Sequence, residues 1–247
     1  YVVYDANSFT YIKSISQLLW WNGQDPEPRW DTSGSHPTWI YYRKDKQLRY
    51  VDIADNSDHL VHDFSADFPS YGSSYYTYNG EEGVSSVDSR YWVFMIRNAS
   101  SPYQAVRLFT YDKTNDQVVA SKDITNYTPN NVSMSQSGNY IYVAYDWTGS
   151  GGEFDGPHAY TRNLTNPVKI CSGIPHASTG YDKQGNEIVF FMDSDYISFT
   201  RMDNGQRFNL YYQGDMGWDG SNLLHAPIFG TKKGWGLVST YSGQNNH

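Results

Sequence analysis

A single cysteine in 247 residues rules out an internal disulfide, so the fold must be held by its core and not by covalent staples. That cysteine, Cys171, ends the strand-like run "PVKICSG" and reads as a small apolar filler. No apolar run approaches the roughly 20 residues that a membrane-crossing helix needs, so no membrane insertion is expected. Charge is also scarce. Only 18% of the residues are charged, with 18 Lys and Arg against 26 Asp and Glu and a formal net charge of -8. A surface that grips a phosphate backbone needs clustered basic residues, so nucleic acid is excluded as a partner. A local basic pocket for an acidic sugar is not. The "DNSD" run and the other Asp-rich turns lack the spacing of a calcium loop. Helical periodicity is nearly absent. The chain shows no signal-peptide pattern and residue 1 is Tyr and not Met, so it is expected to be processed or incomplete.

What the chain has instead is aromatic side chains, at 17% of all residues, together with many Gly and Asn. Most of the rings are expected in sheet cores, with sugar stacking a second use for some. The composition suits an extracellular or periplasmic β protein. Four N-x-S/T sequons, at Asn98, Asn126, Asn131 and Asn163, are close to what a chain this rich in Asn, Ser and Thr holds by chance.

Strand signals recur with a fixed rhythm. Trp39-Ile40-Tyr41-Tyr42, Tyr91-Trp92-Val93-Phe94, Tyr140-Ile141-Tyr142-Val143, Glu187-Ile188-Val189-Phe190 and Gly236-Leu237-Val238-Ser239 stand about 50 residues apart and hold equivalent places. Each unit reads as strand, tight polar turn, apolar strand, loop, alternating strand, turn, strand. The turns "SQSGN", "DKQGN" and "KTND" carry the Gly and Asn residues that tolerate positive φ. Four short strands per repeat of this length predict β-propeller blades, since one blade cannot hide both faces of its sheet and radial neighbours can. Five units are visible, the last without its outer strands, and a broken one, "YVVYDANSFTYIKSI", lies in front. The expectation is therefore an all-β chain forming one propeller domain over 1–247, incomplete at both ends and part of a seven-bladed whole. The alternative is a smaller closed propeller whose last blade is completed by the N-terminal strands.

In such a fold the loops entering the innermost strands form one rim, the usual ligand face. His176 precedes the first strand of its blade, in "IPHASTGYDKQGN". His225 is expected in the same place one blade later, just before "APIFGTKKGW", and His158 follows the loop "DWTGSGGEFDGP". Their spacings of 18 and 49 residues fit no local zinc motif, so only the propeller would bring them together. His36 precedes a proline and reads as structural; His59 and His62 read as solvated residues of an outer hairpin. Tyr211 and Tyr212 end a blade, Tyr160 is near His158, and Arg162 and Arg201 are expected on alternating strands. Asp146, Glu153 and Asp155 are the clustered acids that a glycoside hydrolase would need.

Three stretches carry a family likeness. "IPHASTGYDKQGNEIVFF" resembles the "GH…D.DGNEV" segment of bacterial ulvan lyases with a seven-bladed propeller. "MDNGQRFNLYY" resembles their "L.DG…L" hairpin, and "LLHAPIFGTKKGWGLVSTYSG" their "H.S.R…RPGW…STY" segment. "EPRWD" followed by "WIYYRKDKQLRYVDI" is similar to their early blades. The resemblance implies a secreted lyase that acts on an anionic, uronic-acid-containing polysaccharide without a catalytic cofactor; a structural metal is left open in the absent portion, and a lone domain of this kind is expected to be a monomer. It also implies the catalytic set His158, His176 and Tyr211 or Tyr212. His225 would bind substrate. Where the family carries Arg in "H.S.R", this chain has Phe229, and Lys233 stands for the Pro of "RPGW". Neutralising the substrate carboxylate then falls to Lys232, Lys233 or an arginine such as Arg162 or Arg201. The competing expectations are a non-catalytic carbohydrate-binding propeller, which Phe229 favours, and a glycoside hydrolase.

Overall fold

A computed structural model describes residues 2–5, 7–18, 28–78, 84–99, 104–125, 127, 129–145, 149–172, 177–192, 196–212, 215, 222–229 and 236–242, the last two as backbone. Among these residues there is no α-helix, and a short 3-10 turn spans Ser16–Leu18. A hairpin of β1 (Val2–Tyr4) and β2 (Tyr11–Ser14) comes first. Four four-stranded antiparallel sheets follow, each a meander in chain order. They are β3 (Arg29–Trp30), β4 (Trp39–Lys44), β5 (Gln47–Asp52) and β6 (Ser57–Asp63); then β7 (Tyr75–Tyr78), β8 (Tyr91–Asn98), β9 (Ala105–Asp112) and β10 (Gln117–Asp123). Next are β11 (Pro129–Met134), β12 (Tyr140–Tyr145), β13 (His158–Thr161) and β14 (Val168–Lys169), and then β15 (Ala177–Tyr181), β16 (Glu187–Met192), β17 (Tyr196–Arg201) and β18 (Arg207–Tyr212). The hairpin of β19 (Asn222–Phe229) and β20 (Gly236–Ser242) closes the chain. The five aligned apolar segments are the second strands of five successive sheets, and the fold is that of β-propeller blades.

Burial follows strand position. The second strand β8 buries Trp92 to Ile96 without a break, which is what a strand covered on both faces requires. The outermost strand β18 is exposed along its whole length. The turns between first and second strands reuse one device. Ser86, Ser135 and Asp182 each accept a backbone N–H through the side chain, from Tyr91 (2.9 Å), Tyr140 (3.0 Å) and Asn186 (2.8 Å). The residue three positions on takes positive φ: Ser89 at 56°, Gly138 at 76° and Gly185 at 88°. This is the physical content of the "SQSGN" and "DKQGN" signals.

The chain divides into two compact units, residues 1–78 with 96–103, and residues 79–95 with 104–247. In the first, Val3, Ile15 and Leu18 pack with Ile40, Tyr42 and Val51, so the leading hairpin covers the next sheet. Trp39 is sandwiched between His36 (centroids 3.6 Å) and Tyr50 (3.9 Å), and His59 stacks on Tyr50 (4.7 Å). His36 is structural, as read from the sequence, and His62 pairs with Asp67 (2.7 Å) on the outer strand β6.

In the second unit the innermost strands β11, β15 and β19 lie side by side. Tyr142, Ala144 and Ala159 of one sheet pack with Ala177, Val189 and Phe191 of the next, and Cys171 is buried among them as filler. Hydroxyls stitch neighbouring sheets: Thr179 donates to the Met134 carbonyl (3.0 Å), Thr200 to that of Ile170 (3.1 Å) and Thr110 to that of Arg162 (2.9 Å). Each satisfies a carbonyl that the sheet ladders leave over.

Candidate functional site

In a meander, second-to-third-strand loops and the connections to the next sheet emerge at one end, and the tight turns at the other. The β12–β13 loop therefore shares its end with the segment that leads into β15. From Gly149 to Gly156 this loop is built on glycine: Gly149, Gly151, Gly152 and Gly156 all have positive φ. Asp155 curls it back on itself, accepting the N–H groups of Gly149 (2.9 Å) and Gly151 (2.8 Å). Glu153 forms an ion pair with Lys122 of β10. Phe154 lies flat on Tyr127 (centroids 3.9 Å, 22°) and meets Tyr145 edge-on (5.3 Å, 86°).

Beneath the loop, His158 opens β13 opposite Val143 and Lys169 and is only 5% exposed. Its Nδ1 is 2.9 Å from the Gly156 carbonyl oxygen. A carbonyl accepts, so Nδ1 carries the proton and Nε2 keeps the lone pair in the neutral ring. Burial holds the imidazole below its usual pKa, with Lys169 acting the same way, against the Gly156 hydrogen bond and the Glu153 and Asp155 charges. Tyr160 shares the face of His158 two residues on; its hydroxyl donates to the Glu153 carbonyl (3.3 Å), and Lys122 Nζ is 5.1 Å from its ring centroid. Burial also pushes the Tyr145 and Tyr160 phenols well above their usual range. The fully buried Tyr145 hydroxyl interacts with that of Tyr160, which itself donates to the Glu153 carbonyl. The cluster combines a neutral imidazole, two protonated phenols and an ammonium group.

Of the residues singled out from the sequence, His176, Lys232, Lys233 and Asp146 lie outside the described residues. His225 falls within β19, opposite Ser239, and not ahead of the strand. The run Leu223-Leu224 extends the pairing back to Asn222↔Ser242, which the sequence reading missed. Tyr211 and Tyr212 share the end of the sheets with His158, but on the outermost strand of the next sheet, opposite Ile197 and Tyr196, and they are 62% and 46% exposed.

Arg162 is in the turn just after β13 and not on the strand, because the chain reverses there through Thr161–Thr165 hydrogen bonds. Its Nη1 donates to the Gly138 carbonyl (2.8 Å) and its guanidinium covers the Tyr91 ring at 3.8 Å. Arg201 ends β17 and forms two bonds to Asp203 (3.0 and 2.7 Å). Both arginines are at the tight-turn end, about 13 and 17 Å along their strands from the His158 end at a rise of about 3.3 Å per residue, and each has a structural partner. Glu153 and Asp155, two of the three acids a hydrolase would use, are bound to Lys122 and to loop amides. Lys122, Tyr127, Tyr145 and Phe154 were not singled out. The Gly-rich loop between two strand runs was the available signal. Among the described residues no group of three or more His, Cys, Asp or Glu is arranged to hold a metal ion, and no helix is long and apolar enough to cross a membrane.

No protein-family model and no curated protein matches the chain. Solved structures do. One of two prolyl endopeptidases, studied for the role of inter-domain dynamics in catalysis and specificity, superposes with a TM-score of 0.50 at 14% identity, over 86% of this chain and 32% of that one. An oligogalacturonate lyase in complex with manganese gives 0.46 at 10% identity, over 85% and 70%. TolB from Acinetobacter baumannii gives 0.43 at 14%, over 87% and 51%. The chain thus spans about a third of the endopeptidase and half of TolB. At these identities the likeness concerns the fold alone, and the class is the β-propeller.

Proposed function

We propose that the chain is a secreted polysaccharide lyase of the ulvan lyase type, which cleaves a uronic-acid-containing polysaccharide by β-elimination. The observation that carries this reading is His158, held neutral at a loop rim with Nδ1–H fixed on Gly156 and Nε2 as its acceptor nitrogen, beside phenols that stay protonated. β-Elimination needs those two roles. A base takes the C5 proton, the electron pair forms the C4=C5 double bond, the C4–O bond breaks, and an acid protonates the departing glycosidic oxygen. A neutral imidazole suits the first role and a phenol the second. Negative charge builds on the carboxylate during proton removal, so a cation must face it. In this reading His176 and Tyr211 or Tyr212 complete the set that the family resemblance implies, His225, Lys232 and Lys233 contact substrate, the protein acts as a monomer, and no cofactor takes part.

The test is incubation with ulvan and a panel of other uronate polymers, following the ultraviolet absorbance of the unsaturated product. Absorbance should rise with at least one polymer; no rise across the panel refutes the reading. A non-catalytic carbohydrate-binding propeller is the second reading. It is favoured by Phe229 at the family's arginine position and by the internal pairing of Arg162 and Arg201. It predicts polymer retention without product.

A further inference from the structure

Proton removal beside a carboxylate requires a cation on that carboxylate, and this chain has Phe229 where the ulvan lyases carry arginine. Arg162 and Arg201 are bound at the opposite end of their sheets, and Lys122 is held by Glu153. Lys169 has no such commitment. It ends β14, the last strand of its sheet, directly opposite His158. Opposed residues share a face of the sheet, with Cβ atoms about 4.5–5.5 Å apart. The Lys169 side chain is exposed, and among the described residues no carboxylate or carbonyl engages its ammonium group.

We infer that Lys169 is the cation that receives the substrate carboxylate, and that it and His158 act on adjacent carbons of one uronate ring.

The pair fits the demands of β-elimination. The proton to be removed is on C5 and the carboxylate carbon is attached to C5, so base and cation must stand side by side and meet the ring from one direction. Cross-strand neighbours on one face do so. His158 Nδ1 is fixed on the Gly156 carbonyl, which leaves Nε2 to take the C5 proton. The C5–H electron pair forms the C4=C5 double bond, the C4–O bond breaks with its own pair, and a phenol returns a proton to the leaving oxygen. Lys169 gives up no proton; it faces the negative charge that builds on the carboxylate meanwhile. It also acts before the substrate arrives, because its charge adds to burial in keeping the imidazole neutral. A carboxylate on Lys169 cancels that repulsion, so the imidazole becomes a stronger base once a uronate is in place. Lysine on an edge strand also deters strand pairing, but that role does not call for a place opposite histidine. With no strand beyond β14, its flexible four-carbon stem is free to follow the ligand.

The inference rests on the uronate lyase reading, so one arm of its test needs no turnover. The titration of His158 is followed by NMR of its imidazole carbons in the parent protein, Lys169→Met and Lys169→Arg, alone and with D-glucuronate or neutral D-glucose. Lys169→Met should raise the His158 pKa, because a neighbouring cation is lost. Glucuronate should raise it in the parent and in Lys169→Arg and leave it unmoved in Lys169→Met; glucose should move it in none. In the second arm, initial rates are measured on the panel of uronate polymers. Lys169→Met should lower kcat/KM about 100- to 1,000-fold, and Lys169→Arg should keep most of it. Both variants should melt like the parent, since the side chain is exposed. Glucuronate that leaves the parent His158 titration unmoved overturns the inference, as does a Lys169→Met protein that turns over polymer like the parent. The expected glucuronate response with no product from any polymer keeps Lys169 as a carboxylate site and removes the lyase reading. Product formation to which Lys169→Met is indifferent does the reverse.

Discussion

Gly138→Ala tests whether the sheets are held together by the turn device described above. Gly138 has φ +76°, a region that costs an L-residue about 1–2 kcal/mol. A Cβ built there would be 2.6 Å from Tyr91 Cδ2 and 3.1 Å from the Cβ atoms of Ser86 and Tyr91. The ring cannot yield cheaply, because the Arg162 guanidinium packs on it at 3.8 Å and that of Arg90 at 4.7 Å. Overpacking of this kind costs about 1–3 kcal/mol. The reduced freedom of the unfolded chain offsets about 0.4–1 kcal/mol. The expected net loss is about 2–4 kcal/mol, or roughly 5–15 °C in Tm for a unit of this size. Differential scanning calorimetry is the assay, with Gly149→Ala as the reference. Gly149 has φ +72° in the same unit but nothing within 4 Å of a built Cβ, so it isolates the backbone cost. Equal losses in the two variants would refute the steric argument and the role given to the Tyr91–Arg162 contact.

Other perturbations separate the remaining claims. Thr179→Val removes the donor to the Met134 carbonyl between β15 and β11 and should cost about 1–2 kcal/mol by chemical denaturation, against near zero for an exposed threonine. Asp112 is buried, bonds twice to Arg90 and caps the next turn, and the Arg90 bonds hold its carboxyl below the usual range. Its contribution is present above the unfolded value of about 3.9 and lost as pH falls through the depressed one, so Asp112→Asn should lower Tm at pH 7 and flatten the acid limb of the Tm–pH curve. His158 is also depressed. The unfolded chain takes up that proton first as pH drops below about 6.5, so the parent should lose stability there, and His158→Gln should lose less over the same interval. An identical slope in the two proteins would show that His158 is not held neutral by burial.

The scaffold was readable because its signals are local. Second strands covered on both faces must be unbroken apolar runs, as Tyr91–Met95 and Tyr140–Ala144 are, and the turn before each needs a side-chain acceptor and a positive-φ residue a few positions apart. The two-residue strand β3 carries no comparable pattern, since two backbone pairs leave no periodicity to read, and of the strand-like run "PVKICSG" only Val168–Lys169 pairs, as β14. Site residues were legible only where a motif marked them. His158 follows a conspicuous loop, but its burial and its place opposite Val143 and Lys169 arise only once the sheet has formed. Lys122 sits in "VVASKDI", where it looks like any outer-strand lysine. Its partner Glu153 is 31 residues away in another sheet, a pairing that chain reversal creates and local sequence cannot announce. Arg162 misled for the opposite reason: arginine on a strand edge invites a ligand reading, whereas here a carbonyl and a ring claim it.

Those commitments bear on how an acidic protein, at a net charge of -8, would hold an acidic polymer. A broad positive field is not available to it. Arg49, Arg90 and Arg201 are each bonded to an aspartate, Asp58, Asp112 and Asp203, and so serve the turns and the outer sheet. Attraction at long range would be weak or repulsive, and recognition must come from short-range contacts at single positions.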